Sequence, residues 1–357
     1  MKSMPTAATE SLFPYEQADY EGLPCNSCGG VGQRTIAKRD RNGLAVRSVI
    51  CNHCGLIYLS PRMTPQWYGL YYQKEYRRQM AAFKGQPTGK PVNHDKMFAA
   101  QRRRGEWLVQ YLQRHGQPNP ARVLEVGSST GGMLRALADR CGSQVMGVEP
   151  SPVEAQYASE HGVPTEVGLF EQFSLDADRQ FDLVICTQSF NHLLDPRGMA
   201  ERIRACLSPG GLFFLECQDF FAVLQNRSCL EQAIQIDHVF MFTPATLAAI
   251  VEAAGFAVLP ETLLRDRFQS PAALAAQKEF GVPSLHTRLL ARPGQSQHSG
   301  GSSFAEIYAE LCELERAVAE RERQVRYDKL YQSVKQFPIR AMRRVRRVGQ
   351  QLLRKAA

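Results

Sequence analysis

The residues best suited to chemistry lie in two short runs, Val123-Leu-Glu-Val-Gly-Ser-Ser-Thr-Gly-Gly-Met133 and Val145-Met-Gly-Val-Glu-Pro150. Gly127 and Gly131 let backbone approach a ligand closely, and a helix N-terminus follows them. Glu149 stands roughly 20 residues beyond the glycines, where a doubly wound sheet places a ribose-binding acid. The pattern asks for an adenosine-containing ligand. A dinucleotide would need G-x-G-x-x-G, whose backbone amides hold a pyrophosphate. Here Ser129 stands in place of the middle glycine, and Glu125 adds a carboxylate at the strand's end. That charge repels a pyrophosphate and suits a cation. S-adenosylmethionine meets the requirement, with a sulfonium, an ammonium and no phosphate. Glu125, Gly127, Ser128, Ser129, Gly131, Met133, Glu149 and Pro150 are therefore the expected cofactor residues of these runs.

The elements that must position them follow from periodicity. Phe181–Cys186 and Leu212–Leu215 are short apolar runs, as strands of a buried parallel sheet should be. The second is launched from the turn Ser208-Pro-Gly-Gly211. A third strand is expected near Pro164–Val167. Helical stretches at Gly132–Arg140, Pro152–Glu160 and Gly198–Leu207 separate the strands. Alternation of this kind predicts an α/β fold with a doubly wound parallel sheet.

Over roughly residues 95 to 292 the chain resembles the class I S-adenosylmethionine-dependent methyltransferases. Their first motif is an acid, then x-G, a short polar run and a second glycine. The resemblance implies a seven-stranded Rossmann-like sheet whose last two strands, Phe256–Leu264 and Leu285–Arg292, pair antiparallel at its edge. It also implies that Phe170 and Glu171 flank the adenine. The loop Gln188-Ser-Phe-Asn-His-Leu-Leu-Asp-Pro196 matches the family's H-x-x-D-P loop, which sends Gln188 and His192 to the cofactor's amino-acid end.

A second chemistry sits near the N-terminus. Cys25 and Cys28 form one C-x-x-C pair, Cys51 and Cys54 another, each followed by glycine. The glycine permits the tight turn that leaves backbone amides facing thiolates. Two such knuckles predict a closed, structural Zn²⁺ site in a zinc ribbon, with a hairpin over Arg34–Ile50 between them. A redox role would explain only one pair. His53 reads as exposed, and the remaining cysteines show no ligand spacing. So small a ribbon draws its folding energy from the metal.

The ribbon, Leu59-Ser-Pro-Arg62 and Tyr71-Tyr-Gln-Lys-Glu-Tyr76 together resemble bacterial sugar C-methyltransferases acting on nucleotide-linked deoxysugars. That resemblance assigns Asp237 and His238 as an acid–base pair with His238 the general base. It also assigns a tyrosine of the connecting segment, Tyr76 before Tyr72. A base is physically reasonable, since a carbon or hydroxyl acceptor must lose a proton. Those relatives carry a further C-terminal α/β domain where this sequence has a helical tail, so O-methylation of a sugar or other small molecule reads equally well. The tail follows a flexible linker at 293–303. Ile307, Leu311, Leu314 and Val318 form one apolar stripe, short for a coiled coil and suited to a docking helix. Pro338 is expected to end that helix, and Ile339–Leu353 forms a second, basic amphipathic one. It suits weak contact with an anionic membrane surface or a partner protein.

Four units result: ribbon and connecting segment at 1–90, the α/β domain at 91–292, the linker, and the tail at 304–357. The formal charge of +8 gathers at the C-terminal end, where no acid follows Lys329. It therefore marks no basic catalytic face, and nucleic acid is not an expected partner. The ribbon's Arg34, Lys38, Arg39, Arg41 and Arg47 are few and interrupted, against an RNA methyltransferase. A non-catalytic cofactor-binding module is the reading from another class. No apolar run spans a bilayer and no secretory h-region precedes the ribbon, so a cytoplasmic location, at most peripheral to the membrane, is expected.

Overall fold

A computed structural model describes residues 13–83, 87, 92–117, 119–174, 180–262, 271–295 and 303–355, and for 331–355 the backbone alone. Its strands are β1 (Tyr20–Glu21), β2 (Gln33–Arg39), β3 (Ala45–Cys51), β4 (Ile57–Leu59), β5 (Arg62–Met63), β6 (Arg122–Val126) and β7 (Gln144–Glu149). Then follow β8 (Thr165–Val167), β9 (Phe181–Thr187), β10 (Leu207–Gln218), β11 (Phe240–Met241), β12 (Phe256–Val258) and β13 (His286–Pro293). The helices are α1 (Pro65–Lys74), α2 (Tyr76–Phe83), α3 (His94–Arg114), α4 (Gly132–Cys141) and α5 (Pro152–Glu160). They continue as α6 (Pro196–Ala205), α7 (Phe220–Gln225), α8 (Pro244–Ala253), α9 (Pro271–Phe280) and α10 (Phe304–Lys355).

The main sheet has seven strands in the order β12-β13-β10-β9-β6-β7-β8. The five from β10 to β8 run parallel. The strand β13 lies antiparallel to both β10 and β12. This is the α/β methyltransferase fold that the sequence suggests. Its strand order reverses between β6 and β9, which opens a crevice at their carboxyl ends. Buried apolar side chains from Phe181 to Cys186 explain why β9 is central. Helix starts are fixed locally: Ser151, Asp195 and Thr243 accept backbone amides of α5, α6 and α8, and each is followed by proline. The helix α3 lies directly on the start of α4, where a Cβ on Gly132 would stand 2.2 Å from the Phe98 carbonyl.

A second sheet, ordered β11-β4-β3-β2, is the ribbon with one strand borrowed from the α/β chain. Phe240 pairs with Tyr58 and Met241 with Ile57. One apolar core runs through both units, from Val49 and Ile57 of the ribbon to Phe221 and Phe242 beyond.

The elements differ from expectation in four places. The strand starting at Phe256 stops at Val258, because Pro260 cannot donate to the ladder; 263–264 lie outside the described residues. The helix expected over Gly198–Leu207 begins at Pro196 on its Asp195 cap and yields Leu207 to β10. That strand runs to Gln218, absorbing the Ser208–Gly211 turn as a register shift against β9. Pro338 does not end the tail helix, since α10 is continuous to Lys355; an interior proline forfeits one hydrogen bond without stopping it. Ile307, Leu311 and Val318 are buried, so the first half of α10 is a docking helix. Of the linker, 296–302 lie outside the described residues, as do the side chains of the basic stretch from Ile339 onward. Among the described residues no helix is long and apolar enough to cross a membrane.

Candidate active site

The donor side of the crevice is built by one contiguous stretch. The strand β6 ends in a turn in which Gly127, Ser129 and Gly131 all have positive φ, at 72°, 50° and 76°. A Cβ on Gly127 would meet Ser189 Oγ at 2.8 Å, so the turn is pressed against the loop after β9. The Ser129 amide donates to Glu149 Oε2 and the Ser151 amide to Glu149 Oε1, both at 2.8 Å. These bonds fix the Glu149 carboxylate and leave each oxygen a free lone pair. Burial raises its pKa above the ordinary carboxylate value. Glu125 is 2% exposed, and its Oε2 is buried with no hydrogen-bond partner. Burial, then the charge of Glu149, pushes its pKa well up. A buried carboxylate oxygen without a donor is costly, and a cationic ligand group would relieve it. Ser128 Oγ is orphaned beside it. Among the described residues Ser129 and Gln188 are the non-glycines with positive φ, and both lie at this crevice.

Three expected cofactor residues sit elsewhere than on the crevice wall. Met133 is buried in the core with Leu108 and Leu134. Phe170 is 3% exposed, stacked on Phe173 at 5.5 Å and covered by Arg202. His192 turns to the acceptor side, described next. Glu171 and Pro150 are exposed at the rim.

The acceptor side is assembled from distant segments. Asp237 and His238 precede β11 and are 3% and 9% exposed. The His192 and His238 rings meet edge to face at 4.7 Å. His192 Nδ1 lies 2.8 Å from the Asp237 carbonyl oxygen and 3.7 Å from its Oδ2. A carbonyl only accepts, so Nδ1 carries the proton and Nε2 is the basic nitrogen. Gln235 Nε2 stands 3.3 Å from His238 Nδ1 and donates to Gln218 Oε1 at 3.1 Å. His238 Nδ1 therefore accepts and its Nε2 holds the proton. Burial, then the nearby His192, brings the His238 pKa down to about 3, so its ring stays neutral. Of the two tyrosines, Tyr72 makes the contact: its hydroxyl is 3.2 Å from His192 Nδ1 and 3.4 Å from the Asp237 carbonyl. Tyr76 packs its ring 5.3 Å from Tyr72 and 6.2 Å from His192, and burial raises its pKa to about 12.

The ribbon holds this side in place. Cys25 Sγ is 3.6 Å from Cys54 Sγ, and Cys28 Sγ is 3.6 Å from Cys51 Sγ; all four lie within 4.8 Å of one another. Tetrahedral zinc with Zn–S near 2.3 Å separates its sulfurs by about 3.8 Å, so the cluster fits that ion. The Leu59 amide donates to the Val239 carbonyl at 2.9 Å, directly after His238. Asn26, inside the first knuckle, donates to Asp195 Oδ1 at 2.8 Å and accepts from the Arg197 amide at 2.9 Å. Arg62 Nη1 donates to the Leu194 carbonyl at 2.6 Å. The ribbon thus pins both the 192 loop and the 237–241 segment.

Some polar groups of the site have weak sequence signals. Gln101 Oε1 accepts from Thr130 Oγ1 at 2.6 Å and the Gly132 amide at 3.2 Å, and nothing in α3 marks it. Glu216 bonds Arg288 at 2.5 Å and His286 at 3.2 Å beneath Gln188. Arg288 and His286 outweigh burial there and bring the Glu216 pKa down to about 2. Lone charges inside the apolar runs of β10 and β13 were the signal for that pair.

A family model described as a methyltransferase domain matches residues 98–261, which contain the donor side and omit the cysteine cluster. A ubiquinone biosynthesis O-methyltransferase of Methylobacterium nodulans is 29% identical over 160 residues, covering 39% of this chain and 61% of its own length. Another, from Xanthomonas oryzae pv. oryzae, is 35% identical over 101 residues, covering 27% and 42%. The chain spans roughly half the length of the curated relatives it matches. Among solved structures, the plantazolicin methyltransferase with a monoazolic desmethylPZN analog and SAH has a TM-score of 0.45 at 12% identity, covering 63% of this chain and 93% of that one. Both relatives are named for O-methylation and neither name mentions a sugar.

Proposed function

We propose that this chain transfers a methyl group from S-adenosylmethionine to a small-molecule acceptor. The observation that carries the reading is the orphaned Glu125 oxygen beside the positive-φ turn and the fixed Glu149 carboxylate. The match to a methyltransferase-domain model over that region supports it. Glu149 would hold the ribose hydroxyls, and Glu125 would balance the positive charge of the methionine end. S-adenosylmethionine, when bound, supplies an activated methyl group for in-line displacement, so the protein has mainly to align the acceptor and exclude water. In place of the His238 base that the resemblance assigns, the acceptor's proton goes to His192, whose Nε2 is the open nitrogen, with the neutral His238 ring packed against it and Asp237 balancing the charge that develops. Tyr72 fixes the orientation of His192. The cysteine cluster holds a structural Zn²⁺ ion.

For the acceptor, we favour a sugar or glycan precursor, methylated on carbon or oxygen, on the resemblance of the ribbon and the Asp237-His238 segment to sugar C-methyltransferases. The named relatives keep O-methylation of a non-sugar small molecule open as the second reading.

Calorimetry with S-adenosylmethionine, followed by a labelled-methyl screen of nucleotide sugars and of phenols, tests the proposal. Binding at one site per chain and label in an acceptor are expected. Failure to bind the donor would leave a fold without its chemistry, and label in phenols alone would end the sugar reading.

A further inference from the structure

We propose that the far half of α10 is an arm that lies on an anionic lipid bilayer. The inference is independent of the methyltransferase reading. The near half of the helix is docked on the body. Ile307, Leu311 and Val318 are buried, and Leu314 packs against the same core. The Phe304 amide donates to the His53 carbonyl at 3.2 Å, inside the second cysteine knuckle. Arg34 of β2 lies over the Phe304 and Tyr308 rings, its Cζ 5.3 and 4.7 Å from their centroids. A Cβ on Gly55 would stand 2.8 Å from Ile307, so helix and ribbon touch closely. Further along, Arg321 donates to the Gln225 and Arg227 carbonyls, at and just past the end of α7.

The helix then runs on to Lys355, so about 50 Å of it follows Arg321, at ~1.5 Å per residue. Because the helix is continuous, its register fixes which positions share a side. At ~100° per residue, Ile307, Leu311, Leu314 and Val318 fall within an arc of about 60°. The positions of Tyr327, Leu330, Val334, Val345, Val348 and Leu352 fall within a second arc of about 60°. The centres of the two arcs are about 160° apart. Tyr327 and Leu330, which begin the second stripe, are 63% and 64% exposed. The second stripe is therefore no continuation of the docked one. A helix held to the body by its first side carries the second away from it.

Charge selects the occupant. Nine Lys and Arg follow Asp328, and no Asp or Glu does. The rest of the chain, with 34 Lys and Arg against 35 Asp and Glu, is close to neutral. Arg340, Arg343, Arg347 and Arg354 hold positions across the helix from the second stripe, and Arg344 and Lys355 hold positions along one border of it. A border position suits a long basic side chain, whose stem can follow acyl chains while its head meets lipid phosphates. A second copy of this half would bring the same cations against them. A nucleic acid would meet the charge but leave the stripe in water. An anionic bilayer offers an apolar layer beneath a sheet of phosphates, and so answers both features. With the second stripe in the headgroup region, the docked side turns to water and the body stands clear of the lipid.

The test is flotation of the full zinc-loaded chain with vesicles of phosphatidylcholine alone and of phosphatidylcholine with phosphatidylglycerol, alongside sedimentation velocity without lipid. Binding to the anionic vesicles at low salt is expected, weaker by at least about tenfold on neutral vesicles and at high salt. A triple variant, Val345→Ser with Val348→Ser and Leu352→Ser, keeps every charge and should lose at least about tenfold in binding. Arg340→Gln with Arg343→Gln and Arg347→Gln keeps the stripe and should lose as much. Both variants should unfold at the wild-type temperature, because they alter no docked position. No flotation, equal flotation on neutral vesicles, or wild-type binding by the serine variant would each overturn the proposal. A lowered unfolding temperature would place the far half against the body and overturn it too. A dimer without lipid that the serine variant reduces to monomer, with no flotation, would give the stripe to a second copy instead.

Discussion

The two sides of the crevice are built in opposite ways. The donor side comes from a single strand–turn–helix and the end of the next strand, and its hydrogen bonds join residues close in sequence or on adjacent strands. The acceptor side draws on α1, the 192 loop, the 235–238 segment and the ribbon that pins them. A local device keeps its shape when a distant part is disturbed. A composite device inherits the stability of its weakest support. The difference suggests that donor binding and methyl transfer can be separated by experiment.

The largest separation should come at the histidine pair. Replacing His192 by alanine removes the proton acceptor, and replacing His238 removes the ring packed against it, while either change leaves Glu125, Glu149 and the turn untouched. Turnover should fall by about 10²–10⁴, the range for loss of a general base. The dissociation constant for S-adenosylmethionine, read by calorimetry, should stay within a factor of about two, since neither ring bonds the donor turn. Full activity in His238→Ala would remove that residue from the mechanism, and a lost donor site in either variant would mean the two sides are not separate.

The ribbon gives the next contrast. Because β11 is a strand of the ribbon sheet, a metal-stripped ribbon loosens the segment that carries Asp237 and His238. A zinc chelator should therefore lower transfer by at least about tenfold before it affects donor affinity, and added Zn²⁺ should restore it. Parallel loss of both functions would make the ribbon a support for the whole fold. A chelator without effect would show that the four cysteines hold their geometry without metal.

What was legible in the sequence divides along the same line. The glycine turn and Glu149 declare themselves because strand, turn and helix are neighbours in the chain and each glycine answers a backbone need. The two C-x-x-C knuckles are equally local. The long-range joins leave no periodic trace. Nothing around Phe240 marks it as a strand of a sheet formed some 180 residues earlier. Met133 and Phe170 sit in motif positions, but the core claims both side chains. His192, placed with the cofactor by resemblance, belongs with His238 because the loop after β9 is pulled toward Asp237 by its own hydrogen bond. Pro338 limits the helix only locally, while the docked turns ahead of it nucleate α10.

The smallest effect discriminates between two tyrosines four residues apart, one in the last turn of α1 and one opening α2. Tyr76 is the resemblance-based choice, and Tyr72 is the one whose hydroxyl reaches His192 Nδ1 and the Asp237 carbonyl. Among the described residues no hydrogen bond from the Tyr76 hydroxyl accompanies its ring packing. Tyr72→Phe keeps the ring stack and removes only the hydroxyl, so it should cost the oriented histidine one hydrogen bond, about 0.5–1.5 kcal/mol, or roughly three- to tenfold in kcat. Tyr76→Phe should change kcat by less than about twofold if its part is packing alone. The reverse order would mean that Tyr76 turns its hydroxyl to the acceptor once the acceptor is bound, and would return the proton-handling role to the residue the sequence first indicated. Equal small losses would make both rings a wall of the site, with His192 alone carrying the proton.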